Sequence, residues 1–122
     1  MLFRSNADVL LNANARIGGS LSMSGYILRS VQTGISAAGS TQGTGTALTK
    51  EMNVVSTVAS GAGVVLPAAV AGMTVTVTNT SANALLVYPA SGGAINSLST
   101  NAGFTQGTTT IDRKSTRQNS SH

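Results

Sequence analysis

The chain contains no cysteine and no tryptophan, and its only histidine is the last residue, His122. The absence of cysteine excludes a disulfide framework and a thiol nucleophile, and it excludes zinc sites built from cysteine and histidine. Charged residues make up only 8% of the 122 positions, whereas a typical globular domain has roughly a quarter. The low charge, together with 41% hydrophobic residues, also argues against a highly charged disordered chain.

Acidic residues are especially scarce, since only Asp8 and Glu51 precede residue 112. General acid–base catalysis needs at least one positioned titratable group, and hard cations need several carboxylates. A serine or threonine nucleophile would find no histidine to activate it. We predict a solvated pair for Lys50 and Glu51. The chain is therefore predicted not to be an enzyme, with no catalytic residue, no cofactor and no metal.

The formal net charge of +4 does not indicate a nucleic-acid partner. Phosphate binding needs clustered basic residues, preferably with aromatic side chains for stacking. Arg4, Arg16, Arg29 and Lys50 are isolated from one another, and the remaining positive charges lie in the polar segment 113–117. We therefore expect no nucleic acid among the partners.

The last segment, DRKSTRQNSSH (residues 112–122), closely resembles the translation of a common sequencing adapter. It differs from that translation only at Gln118, where the adapter gives leucine. The resemblance implies that the reading frame was cut short after Ile111 and fused to adapter, as in a metagenomic read. Such a segment is excluded from fold reasoning and is expected to be a disordered tail.

The chain is rich in small residues, because Ala, Gly, Ser and Thr fill 62 of its positions. Residues 73–78, MTVTVT, alternate in polarity with the period of a half-buried strand. Short strands separated by turn residues predict an all-β fold, a small β-sandwich or barrel-like domain of short antiparallel strands whose last strand is missing by truncation. Strands are predicted at 53–58, 64–66, 73–78 and 84–88, with weaker ones at 94–96 and 103–105 and the start of another at 108–111.

Composition divides the chain into four parts. We predict a partly ordered N-terminal segment (1–32), a Gly/Ser/Thr-rich linker or loop (33–46), a β domain (47–111) and the tail (112–122). Residues 54–77 are uncharged and apolar enough for a membrane-spanning helix. Pro67 and the surrounding glycines suit a helix interior poorly, so strands are favoured there and no membrane is expected.

Several segments together resemble recurrent sequences in small structural proteins of tailed bacteriophages. They are TGISAAGSTQ (33–42), ALT (47–49), NVVSTV (53–58), GVVLPA (63–68), GMTVTVTN (72–79), ANALLVYP (82–89) and GGAIN (92–96). The resemblance implies a non-enzymatic protein of the virion, from the tail or the head surface. It also implies one further strand, ending near a Trp-Tyr pair, after the threonine-rich segment.

Two functions remain open within that resemblance. A thin core of small residues benefits from burial against neighbours, which favours a homo-oligomer that assembles with itself or with other virion proteins. The alternative is a tail-fibre module that recognises a host carbohydrate or protein through the loops near 81–83 and 91–93. The scarcity of aromatic residues in these loops favours assembly. The candidate contact surface comprises Asn79, Ser81, Asn83, Tyr88 and Asn96, although Tyr88 before Pro89 also fits a packing role.

Overall fold

The structure is a computed structural model that describes residues 10–107. Within this range the secondary structure consists of strands and turns without a helix, which confirms the mainly-β prediction. The strands are β1 (Val31–Ala37), β2 (Thr46–Ala47), β3 (Met52–Val58), β4 (Gly63–Val65), β5 (Thr76–Asn79), β6 (Leu85–Tyr88) and β7 (Phe104–Gln106). The strand predicted at 108–111 and the adapter-like tail lie outside the described residues.

The strands form two sheets, and the chain alternates between them. One sheet has the order β1-β3-β5 and the other has the order β2-β4-β6-β7. We call each pair of successive strands, β1-β2, β3-β4 and β5-β6, a coil. Each coil adds one strand to each sheet, and β7 then joins the second sheet beside β6. Met52 of the second coil pairs with Val31 of the first and with Thr76 of the third. We call residues 31–107 the β body.

The predicted antiparallel pairing is wrong for most of the β body. β1 with β3, β3 with β5, β2 with β4, and β4 with β6 all pair in parallel, and only β6 with β7 pairs antiparallel. Segments such as 59–62 and 80–84 carry the chain across to the other sheet and do not turn it back as a hairpin. A strand's neighbour is therefore the corresponding strand of the next coil. The connection from β3 to β5 covers residues 59–75 and passes through the other sheet, which is long enough for parallel pairing.

One hydrophobic core joins the two sheets. Val55 of β3, Val64 of β4 and Leu85 of β6 are completely buried. The same cluster includes Ile35, Leu48, Val58, Ala62 and Val87. Burial of a valine or leucine side chain stabilises a fold by about 1.5–3 kcal/mol, so this shared cluster is the main source of cohesion between the sheets. Among the described residues neither sheet closes on itself.

The segment predicted as a linker or loop, residues 33–46, begins with a strand. Residues 33–37 belong to β1, and Ile35 lies in the core with 4% exposure. Gly34 has a φ of +70°, and the β1–β3 register shifts between Gln32 and Ile35. A glycine with positive φ is a usual device for a bulge. The glycine therefore marks an irregular strand here, and only residues 38–45 form a loop.

Two predicted strands are altered by turns. The strand predicted at 73–78 begins at Thr76, because Gly72 has a φ of +86° and the amide of Met73 donates to the carbonyl of Val70 at 3.0 Å. The strand predicted at 94–96 is replaced by a turn in which the Leu98 amide donates to the Ile95 carbonyl at 3.0 Å.

The apolar window 54–77 contains most of β3, all of β4 and the beginning of β5. Pro67 follows β4 and precedes the turn before β5. Within the described part of the chain, no helix has the length and apolar character needed to cross a membrane.

Candidate functional site

Three of the five predicted contact residues come together in the turn between β5 and β6. The side-chain oxygen of Asn79 accepts from the Ser81 amide at 3.0 Å and from the Ser81 hydroxyl at 2.9 Å. Asn79 Nδ2 donates to the carbonyl of Asn83 at 2.9 Å. Asn83 Nδ2 in turn donates to the carbonyl of Val58 at 2.7 Å. We call Asn79, Ser81 and Asn83 the polar turn.

The polar turn connects parts of the fold that sequence alone does not bring together. Asn79 is completely buried, and its amide nitrogen also lies 3.4 Å from the Gly107 carbonyl. Buried polar groups must be hydrogen-bonded to avoid a large desolvation penalty. Asn79 thus has an internal role and is not a surface contact residue. Ser81 and Asn83 are partly or fully exposed and keep surface atoms available.

Tyr88 is also internal, with 6% of its surface exposed. Its hydroxyl donates to the Ser40 carbonyl at 2.7 Å, which ties β6 to the loop after β1. Its ring lies against two glycines: a Cβ atom added at Gly63 or at Gly103 would stand 2.7 Å from a ring carbon. The packing interpretation of Tyr88 therefore fits the structure, and the contact interpretation does not.

Among the described residues no hydrogen bond joins Asn96 to the polar turn. Asn96 is exposed and has a φ of +52°. Asparagine is among the few residues with a side chain that enter this left-handed region readily, so the turn itself accounts for an asparagine here. A contact role for Ser81, Asn83 and Asn96 stays a prediction.

Charge in the described residues is concentrated where the β body begins. Glu51 is the single acidic residue between positions 10 and 107, and its Oε2 lies 2.7 Å from Nη1 of Arg29. The Ser30 hydroxyl accepts from the Glu51 amide at 3.0 Å, and the Ser30 carbonyl accepts from the Met52 amide at 2.9 Å. These contacts fix the start of β1 against the entry to β3. Across residues 10–107 no three His, Cys, Asp or Glu side chains are grouped as metal ligands.

The sequence prediction assigned no role to the most exposed apolar segment. Residues 10–30, which we call the arm, precede β1 and are exposed at every position. Tyr26 and Leu28 are 92% and 91% exposed. The other large apolar side chains of the arm are Leu10, Leu11, Ile17, Leu21, Met23 and Ile27. The sequence shows these apolar clusters. It does not show whether they are buried by other parts of the same chain or left exposed.

A second apolar surface lies between β4 and β5. It is an open cavity of about 230 Å³, and we call its lining residues the apolar strip: Leu66, Pro67, Ala69, Val70, Met73 and Val75. A cavity of about 340 Å³ continues it past Ala68 to Pro89 and Ile95. On its other side, a cavity of about 360 Å³ shares Pro67, Met73 and Val75 and reaches Arg29. That last cavity is partly polar, because Thr49, Lys50 and Glu51 line it too. The apolar path therefore consists of the first two cavities.

Comparison with known proteins adds no assignment, because the chain matches no family model, no curated protein and no solved structure.

Proposed function

We propose that this chain is a non-enzymatic structural protein of a virion that acts by packing against copies of itself or other virion proteins. The observation that carries the proposal is the exposed apolar surface of the arm, which no part of the described chain covers. The resemblance to small structural proteins of tailed bacteriophages supports the assignment to a virion.

The physical argument rests on the cost of leaving such a surface in water. A monomer rarely exposes a large contiguous apolar patch unless the patch binds a partner. The arm exposes eight large apolar side chains, while the core that holds the β body contains mostly valine, leucine and alanine. Assembly into a symmetric oligomer would bury this surface and add to a thin core.

The finer architecture that we propose is sandwich-like, with the two sheets as its layers. Ile35 and Val55 of one sheet belong to the same cluster as Val64 and Leu85 of the other, as is usual where two sheets pack face to face.

The competing proposal is a module that recognises a host carbohydrate or protein. It would use the exposed atoms of Ser81 and Asn83 and the turn at 91–93. Two observations weaken it: the Asn83 side-chain nitrogen bonds to Val58, and the backbone of Gly92 donates to the side chain of Asn101 at 2.7 Å. These loops use much of their hydrogen-bonding capacity internally.

Sedimentation equilibrium over a wide range of protein concentrations tests the proposal. We expect a mass that rises above the 12.2 kDa of one chain at micromolar concentration. A single species of one-chain mass at all concentrations would contradict self-assembly, and selective binding on a glycan array by that monomer would favour host recognition. For the virion assignment, mass spectrometry of purified particles that encode this chain should find it among their structural proteins.

A further inference from the structure

We propose that the arm of one copy docks on the apolar strip of a second copy. This inference rests on the proposed function of self-assembly and deepens it by naming the two surfaces. Each copy carries one arm and one strip, so every copy both donates and accepts a contact.

The first argument is that both surfaces are uncharged. Between Arg16 and Arg29 the arm has no charged residue, and the chain from Met52 to Ile111 has none either. The strip lies inside that uncharged region. Docking of one surface on the other would therefore remove no charge from water, and desolvation of unpaired charges is the largest obstacle to burying a surface.

The second argument is one of size. In extended conformation a segment of the length of residues 17–28 spans roughly 40 Å, at about 3.3 Å per residue. It presents Ile17, Leu21, Met23, Tyr26, Ile27 and Leu28. A specific interface buries about 800 Å² on each partner, and a segment with this many large exposed side chains is long enough to supply it. The strip and its continuation toward Ile95 form an open path on the acceptor.

The third argument concerns which copy supplies the arm. Arg29 is the only arm residue in the described lining of the three cavities. The contacts of Arg29 with Glu51 and of Ser30 with Met52 hold the base of the arm, while residues 10–28 are exposed to solvent. Within residues 10–107, one chain thus leaves both its arm and its strip uncovered. A second copy provides both missing surfaces at once.

Paired aspartate substitutions test the inference in the full chain. The arm variant Leu21→Asp/Ile27→Asp and the strip variant Val70→Asp should each weaken association on the order of 100-fold, because each places an unpaired charge in the interface. The matched controls are Asn12→Asp/Asn14→Asp, which adds the same charge to exposed polar positions of the arm outside segment 17–28, and Thr100→Asp, which adds it to an exposed turn. The controls should change the dissociation constant by no more than about 3-fold, the usual scale for rim positions.

The outcomes separate failure of the inference from failure of the proposed function. If the unsubstituted chain is a monomer at all concentrations, self-assembly itself is wrong. If it assembles and the arm and strip variants assemble equally well, only the docking site is wrong. Thermal unfolding of the dilute monomer should be the same for the arm variant and its control, and a lower melting temperature for the arm variant alone would show that the arm packs on its own chain and would overturn the inference.

Discussion

The arm and the β body use the same kinds of apolar residue with opposite results. Leu28 of the arm is 91% exposed, whereas Leu85 of β6 is completely buried. Both lie in stretches with few charges, so composition does not explain the difference. In the β body each strand pairs with a neighbouring strand, and both sheets contribute to one hydrophobic cluster, whereas the described residues of the arm form no strand. An apolar side chain of the described residues is therefore buried where strands of successive coils pair and both sheets contribute to the core.

This difference assigns stability and association to separate regions. The shared core of the two sheets should determine the free energy of unfolding of a single chain. The arm should contribute little to that free energy and should determine how strongly copies associate. Substitutions of the same type in the two regions test whether stability and association are separate properties.

The largest expected difference is between leucines in the two regions. Leu85→Ala removes a completely buried side chain and should lower the free energy of unfolding by about 2–5 kcal/mol. Leu28→Ala should change it by less than about 0.5 kcal/mol, as for most surface positions. Denaturant unfolding of both variants, at concentrations where the chain is monomeric, measures the two values. Similar losses for both would remove the distinction between arm and body.

Glycines give the next largest contrast. A Cβ atom at Gly63 would stand 2.7 Å from the Leu86 carbonyl oxygen and 2.7 Å from the Tyr88 ring, while one at Gly19 would meet nothing within 4 Å. Gly63→Ala should therefore cost about 1–3 kcal/mol, as overpacking in a core does, and Gly19→Ala should be almost neutral. Thermal melting of the two variants in parallel checks this, and an unchanged melting temperature for Gly63→Ala would mean that β4 and β6 are not packed as described.

The two tyrosines provide a smaller contrast. Tyr88→Phe removes the hydroxyl that donates to the Ser40 carbonyl at 2.7 Å and should cost about 0.5–1.5 kcal/mol, the usual net value of a hydrogen bond. Tyr26 is 92% exposed, so Tyr26→Phe serves as the matched control with no expected loss. Urea unfolding at fixed concentration measures both, and equal effects would place the Tyr88 hydroxyl in solvent.

The smallest expected effect lies where the arm joins the β body. The Arg29 and Glu51 side chains are 51% and 29% exposed, so solvent screens their ion pair and limits its contribution to below about 1 kcal/mol. A double-mutant cycle with Arg29→Ala and Glu51→Ala should give a coupling energy that declines as salt is added. Arg16→Ala is the control for loss of charge on the arm. A coupling energy that is insensitive to salt would contradict the exposed geometry.

Sequence patterns located strands well where apolar runs are bounded by turn residues. The strand predicted at 53–58 corresponds to β3 (Met52–Val58), and that at 84–88 corresponds to β6 (Leu85–Tyr88). Their direction could not be predicted in the same way. A turn segment such as 80–84 shows where a strand ends, but which sheet the chain enters next depends on the packing of the whole coil. β1 was not predicted, because its residues 33–37 begin a segment rich in Gly, Ser and Thr that is typical of a loop. Gly34 instead lies at an irregular position of a strand.

The surroundings of the candidate contact residues could not be predicted, for a related reason. The sequence offers Asn79 and Tyr88 as contact residues, with packing as the alternative for Tyr88. In the structure Asn79 bonds within the polar turn and also lies near the Gly107 carbonyl, and Tyr88 bonds to the Ser40 carbonyl. A sequence shows a polar group but not the carbonyl that will meet it after folding. The apolar residues of the arm pose the opposite problem, since their exposure is visible only when the fold shows that no strand covers them.

Disulfide trapping tests most directly whether the arm of one copy docks on the apolar strip of another. The chain has no cysteine, so Ile27→Cys in the arm and Ala69→Cys in the strip each introduce a single thiol. When the two variants are mixed and oxidised, we expect mainly disulfides that join one variant to the other. Thr100→Cys in place of the strip variant is the control and should form few. Equal trapping at both positions, or a disulfide within one chain when both substitutions are combined, would contradict the claim.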